Sequence, residues 1–170
     1  MRRLDAAKTT LDLRKLLQTE EIQSVREFDD LRIVQVGLES LDTVRSLNER
    51  IFGEERVINT FEREDLMILI AYLDETAVGF KIGYKENRFL YYSAKGGVLP
   101  DYRGGGIARR LLVEMCARAR SWGYRRITYD TFPNLHVGMT VLGLREGFRV
   151  VKADFNTVYN DYRLRLEKAL

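Results

Sequence analysis

The stretch Gly96–Leu112, reading GGVLPDYRGGGIARRLL, limits what this chain can fold into more than any other. A β-branched and aromatic run, Phe89–Ser93, leads into it, Pro100 stops any ladder, and Arg103 opens a run of three glycines. From Ile107 onward the apolar residues recur with a helical period. A strand that passes through a glycine turn into a helix N-terminus makes a site for an anion. Backbone N–H groups are unpaired there, the helix dipole adds positive potential, and glycines let a ligand come close.

Composition narrows the setting. At 170 residues and 45% apolar content, one soluble globular domain with its own core is expected. The longest apolar run, Leu66–Leu73, is broken by Asp74-Glu75 and suits a buried strand rather than a membrane span. Two arginines near the N-terminus have no apolar core after them, so no secretory leader is expected. A single cysteine, Cys116, excludes an internal disulfide, and with one histidine in the chain a zinc site lacks its ligands. The expectation is a cytoplasmic protein that works without a metal. Net charge is +3, yet between Asp101 and Arg126 seven arginines stand against Asp101 and Glu114, a local +5. This excess favours an anionic ligand beside the glycine turn, although a solvated basic helix face explains it equally well.

Residues 1–30 read as a helical extension. Leu13, Leu16 and Leu17 make a short apolar stripe, and Thr19-Glu20-Glu21 ahead of Ile22, Val25 and Phe28 resembles a capped second helix. Residues 31–170 read as one domain. Leu31–Val36 alternates as a strand, and Leu41, Val44, Leu47, Ile51 and Phe52 recur as an amphipathic helix that Gly53 ends. Glu54–Asp65 is polar and irregular, with room for one more helical turn. Met67–Leu73 and Ala77–Tyr84 form a hairpin, Lys85–Arg88 a turn, and Phe89–Ser93 a third strand. Ile107, Ala108, Leu111, Leu112, Met115, Cys116, Ala119 and Trp122 stripe one helix face, with Gly123 placed to cap its end. Arg126–Phe132 is the next strand, a short helix runs through Met139, Leu142 and Leu144 to Gly147, and strands Phe148–Val151 and Tyr162–Leu166 close the chain. This order predicts a single-domain α/β fold: a mixed, mostly antiparallel sheet flanked by helices.

Two common phosphate loops do not fit the glycine turn. A Walker A loop needs Lys and Ser or Thr after its glycine, and no lysine follows here. A dinucleotide fingerprint needs its third glycine where Arg109 stands. What does match is Val98-x-Pro100 followed by Arg-x-x-Gly-x-Ala from Arg103 through Gly106 to Ala108, which resembles the coenzyme A signature of the GNAT-type N-acetyltransferases. The resemblance spans about Leu31 to Leu166 and includes the three-strand meander, the helix and strand after the signature, and the Gly147-Phe148 pair.

The resemblance implies the acyl-CoA N-acyltransferase fold, acetyl-CoA as co-substrate, and direct attack on its thioester by a primary amine of a small molecule or peptide. It implies no metal, and because the family often dimerises, a homodimer is one expectation. In that family the strand before the signature splays from its neighbour and the pantetheine arm fills the gap. Mapped here, the backbone groups of Gly96, Gly97 and Val98 would meet the pantetheine, with an oxyanion donor around Val98. The amides of Arg103, Gly104, Gly105, Gly106, Ile107 and Ala108 would hold the pyrophosphate, and Asn134 would bond the pantetheine. The departing thiolate usually takes its proton from a Tyr four residues before the Gly-Phe pair, and that position is Gly143. Tyr92 and Ser93, near the splay, become the candidate catalytic donors, with Tyr159 and Tyr162 further off. Glu54, Glu55 and Glu62 are candidates for the base, and His136, on the usual Asn register, is another; a charged or lone histidine loop residue is more often just solvated. A second reading, prompted by Gly143, is a non-catalytic acyl-CoA-binding or sensory module. A nucleic-acid binder is disfavoured, since no aromatic residues interleave with the arginines and the summed charge is small. No membrane partner is expected either.

Overall fold

The computed structural model describes Phe28 and residues 30–170, so the expected helical extension lies almost entirely outside the described residues. One sheet carries seven strands in the order β1-β2-β3-β4-β5-β7-β6. These are β1 (Leu31–Val36), β2 (Met67–Leu73), β3 (Thr76–Asn87), β4 (Leu90–Val98), β5 (Arg126–Thr131), β6 (Arg149–Asn156) and β7 (Asp161–Ala169). Among the described residues three α-helices accompany them: α1 (Leu41–Phe52), α2 (Ile107–Ser121) and α3 (Val137–Arg145). Neighbours pair antiparallel except β4 with β5. A parallel pair needs a crossover, and α2, entered through the glycine turn, supplies it. The mixed, mostly antiparallel sheet and the order of elements from Leu31 onward are those predicted.

Helices cover both faces of the first strands. On one face Leu111, Leu112, Met115 and Ala119 of α2 pack with Met67, Leu69, Tyr91, Ile127 and Tyr129. On the other, Val44 and Leu47 of α1 pack with Ile68, Ile70, Phe80 and Ile82. Burial on both sides explains why β2 reads as a continuous apolar run without alternation. The fully buried Asn48 of α1 donates to the carbonyls of Glu54 and Arg56, tying down the polar segment that follows. That segment, Glu54–Asp65, contains no helical turn.

Several elements run longer than their sequence suggests. β4 continues through Gly96 and Gly97 to Val98, because both glycines occupy strand positions that allow close approach. A Cβ on Gly97 would come 2.8 Å from Ile51 Cγ2 and 3.0 Å from the Phe52 ring, and one on Gly96 would come 2.8 Å from the Phe80 carbonyl oxygen. β3 extends to Asn87 through the expected turn. β6 exposes nearly every residue, so no alternation betrays its length. Ala108 of α2 and Trp122 just after it lie at the exposed rim of the stripe rather than inside it. Gly123, at φ +90°, ends that helix with its N–H on Arg120 O at 2.9 Å. Among the described residues no helix is long and apolar enough to cross a membrane.

Candidate functional site

The pairing of β4 with β5 stops early. It joins Leu90 to Arg126, Tyr91 to Ile127 and Tyr92 to Thr128, and goes no further. On its other side β4 pairs Ser93 with Gly83 and Lys95 with Ile82, which leaves Ala94 as an extra residue. Such a bulge bends the strand that carries it, here away from β5. Beyond the bulge β4 has one neighbour, β3, and one open edge. The Leu99 N–H donates to Val78 O at 2.9 Å, so the alternation of the antiparallel ladder gives Phe80 the polar groups of Gly97. It turns those of Gly96 and Val98 towards the open side. Of the three backbone positions expected to meet a pantetheine, two face the cleft and Gly97 belongs to the ladder.

The cleft leads to the glycine turn. Val98 O accepts from Arg103 Nε at 3.0 Å, which folds the turn against the end of β4. Gly104 and Gly106 have φ of +84° and +75°, and a Cβ on either would meet nothing within 4 Å. Their backbone conformation calls for glycine, and the space before them is open. The first backbone bond into α2 runs from Arg110 N–H to Gly106 O at 3.0 Å. The amides from Gly104 to Arg109 have no acceptor among the described residues. A helix N-terminus, unpaired amides and open space therefore coincide, the arrangement that a diphosphate needs.

The nearby arginine excess is mostly engaged within the protein. Arg109 pairs with Glu146 at 2.5 Å, Arg110 donates to Leu31 O at 3.0 Å, and Arg126 pairs with Glu167 at 2.8 Å. Arg118 bonds Glu114 and Gln35, and Arg125 lies over the Phe89 ring. The amides and dipole of α2, more than free guanidinium groups, make the turn receptive to an anion.

Tyr92 and Ser93 stand at the point of the splay but project to opposite faces of the sheet. Ser93 is buried on the α2 side. Tyr92 lies on the α1 side, beyond the part that α1 covers, and its hydroxyl donates to Asp130 Oδ2 at 3.2 Å. Burial, and next the Asp130 charge, push the Tyr92 phenol well above its ordinary range, so it stays a protonated donor. Arg165 of β7 grips Asp130 in two-pronged fashion at 2.8 and 3.0 Å and reaches Glu86 at 2.9 Å, while Arg163 pairs with Asp154 alongside. Asp130, Glu86 and Arg165 were not anticipated, although the polar alternation Arg126, Thr128, Asp130 marks this face in the sequence. Arg165→Met, which leaves two half-buried carboxylates facing each other, is expected to cost about 1–2 kcal/mol in a urea titration.

The remaining candidates separate. Gly143 is buried in α3 because a neighbour fills its place: a Cβ there would stand 1.7 Å from the Tyr129 hydroxyl. That hydroxyl donates to Met139 O at 3.1 Å, and burial pushes it above its ordinary range. Asn134 is exposed, yet its side-chain amide donates to Asp161 Oδ1 at 2.6 Å, an oxygen held in turn by the Tyr162 N–H. His136 precedes α3 with no side-chain capping bond. Glu54 pairs with Lys95 at 3.3 Å, Glu55 and Glu62 are exposed, and Tyr159 stacks on Phe132. Tyr162 packs edge-on against Phe155. A hollow of about 570 Å³ lined by Asp42, Arg45 and Glu49 opens on the solvent side of α1 and takes no part in the cleft.

Residues 38–139 match the Acetyltransferase (GNAT) family. No curated protein matches the chain. Solved structures with the same fold include the IAA acetyltransferase from Bacillus cereus, at 20% identity and a TM-score of 0.72 over 82% of this chain and 99% of that one. The ribosomal-protein-S18-alanine N-acetyltransferase from Escherichia coli is similar at 14% identity and TM-score 0.72, covering 82% of this chain and 93% of its own. A GNAT family acetyltransferase from Elizabethkingia anophelis, with acetyl-CoA bound, is similar at 15% identity and TM-score 0.63, over 84% and 99% of the two chains.

Proposed function

Because the chain belongs to the acetyltransferase (GNAT) family, we propose that it transfers an acetyl group from acetyl-CoA to a primary amine. One observation carries the reading: the open edge of β4, with the polar groups of Gly96 and the Val98 N–H, runs into the unpaired amides of α2. This continuous track suits a long co-substrate with a diphosphate at one end and amide-bearing links along its length. The Elizabethkingia relative with acetyl-CoA bound supports the choice of ligand.

The acceptor approaches from the α1 side, where Glu86, Tyr92 and Asp130 gather at the point of the splay. An amine reaches a protein mostly protonated at neutral pH, and carboxylates there favour the ammonium before it loses a proton and attacks. The Gly96 N–H, turned to the open side at the end of the cleft away from the diphosphate, is placed to steady negative charge on the carbonyl oxygen. Asn134, held by Asp161, keeps its carbonyl oxygen for the pantetheine amides.

Calorimetry with acetyl-CoA tests the ligand, and absence of binding at tens of micromolar would reject it. Release of free thiol over a panel of polyamines, amino acids and peptides tests the reaction. Saturable binding without release on any acceptor would favour a non-catalytic acyl-CoA-binding module, the reading that Gly143 first suggests.

A further inference from the structure

Lys81 is a lysine in the middle of a sheet, and it is 6% exposed. It has no hydrogen bond and no ion pair among the described residues, an unusual state for an ammonium. Its position accounts for where the charge goes. Lys81 of β3 faces Gly96 of β4, and a Cβ on Gly96 would come 3.1 Å from Lys81 Cγ. The lysine stem thus crosses β4 where a side chain is missing, on the α2 side. Its ammonium feels the charge of Cys116 on α2, and so does the Tyr129 hydroxyl of β5. Lys81 and Tyr129 come from strands on opposite sides of the splay, and both lie within electrostatic reach of Cys116 on α2.

A co-substrate whose diphosphate lies at the α2 N-terminus runs back along β4, passing Val98 first and Gly96 next. Its sulfur end therefore arrives beside the place where Lys81 crosses. Resting on the acetyl-transfer reading above, we infer that Lys81 donates the proton to the departing coenzyme A thiolate. The acceptor nitrogen, as a neutral amine, forms its bond to the carbonyl carbon and gives one N–H proton to water, and the carbon–sulfur bond breaks with its electron pair on sulfur. One Nζ–H proton then moves to that sulfur, leaving a neutral amine that water reprotonates. The assignment places the acid on β3, not on α3, where Gly143 and the Tyr129 ring leave no room for one.

The electrostatics agree. Burial pushes Lys81 down to about 8, close to an ordinary thiol at about 8.5, so proton transfer between them is nearly balanced. The facing groups on β2 and β4, Leu69 and Gly96, carry no charge. From α2 comes the Cys116 thiol, itself raised by burial, and around that thiol stand Lys168 of β7, Glu146 after α3, and Arg120 of α2.

The test uses the full chain with Cys116→Ser, so that absorbance of a thiolate reports coenzyme A alone. With coenzyme A bound, Lys81→Met should raise the pH at which its thiol ionises by at least about one unit. In acetyl transfer the same change should lower kcat by about a hundredfold, leave acetyl-CoA affinity nearly unchanged, and remove a fall in rate above pH 8. Lys81→Arg keeps a charge that cannot give up a proton, so it should restore the thiol ionisation but not kcat. Unchanged ionisation and kcat in Lys81→Met would overturn the assignment, as would full turnover in Lys81→Arg, or an acetyl group found on Lys81 by mass spectrometry. A parent protein that fails to bind acetyl-CoA at all would overturn the transfer reading itself.

Discussion

Valine at position 106 is expected to abolish acetyl-CoA binding in calorimetry, while Arg110→Ala leaves it nearly intact. Gly106 has φ +75°, a conformation that costs a side chain about 1–2 kcal/mol and a β-branched one more. No protein atom lies within 4 Å of its would-be Cβ, so the isopropyl group would occupy the space before the free amides. The strain alone would shift the thermal midpoint; the lost space would remove binding even in protein that remains folded. Arg110 stands one turn on, but its guanidinium is committed to Leu31 O and points away from the amides. Its loss is expected to cost about 1 kcal/mol of stability and little affinity. Equal losses of affinity from the two changes would show that the diphosphate does not sit at this turn.

Alanine at position 143 is the second large effect, this time on stability. Its methyl would lie 1.7 Å from the Tyr129 hydroxyl, 2.9 Å from Cζ of that ring and 3.1 Å from Leu166 Cδ2. Tyr129 is 3% exposed, bonded to Met139 O and packed edge-on against Phe148 at 5.1 Å between centroids, so it has nowhere to retreat. Gly143→Ala is expected to cost about 3 kcal/mol in chemical denaturation. Tyr129→Leu empties the crowded space, so the double variant should lose clearly less than the two single losses added together. Simple additivity would show that the ring is not what keeps residue 143 small. The resemblance implies a tyrosine as the usual residue at this place; here the aromatic volume comes from β5, and the helix gives way.

The order of elements was legible because most of them bury one face, and a buried face leaves its period in the sequence: Leu41, Val44, Leu47 and Ile51 on α1 are the plainest case. The glycine turn was legible for a different reason, since chain conformation there leaves few residue choices. Where period was lacking, lengths were misjudged. β6 has neither face covered, and β4 hides two glycines within a strand. Contacts between distant segments were the least accessible. Tyr129 and Gly143 each look ordinary alone, and their mutual exclusion is visible only once β5 and α3 are packed. Lys81, flanked by Phe80 and Ile82, reads as the solvated side of an alternating strand. Nothing in one strand's sequence tells that α2 covers that side too.

The bulge at Ala94 has a consequence for how such a cleft can be lost. Ahead of it Tyr91 faces α2; after it Gly97 faces α1 and Val98 faces α2, a parity that holds only because one residue is counted out of the ladder. The separation of the strands is thus encoded by chain length more than by any side chain. Substitutions at Ala94 are tolerable in principle, whereas removing it would make the ladder regular, with Ser93 still on Gly83 and Lys95 still on Ile82, and take away the bend that turns β4 from β5. Descendants of this chain can drift widely in composition here, but they are not free to drift by one codon.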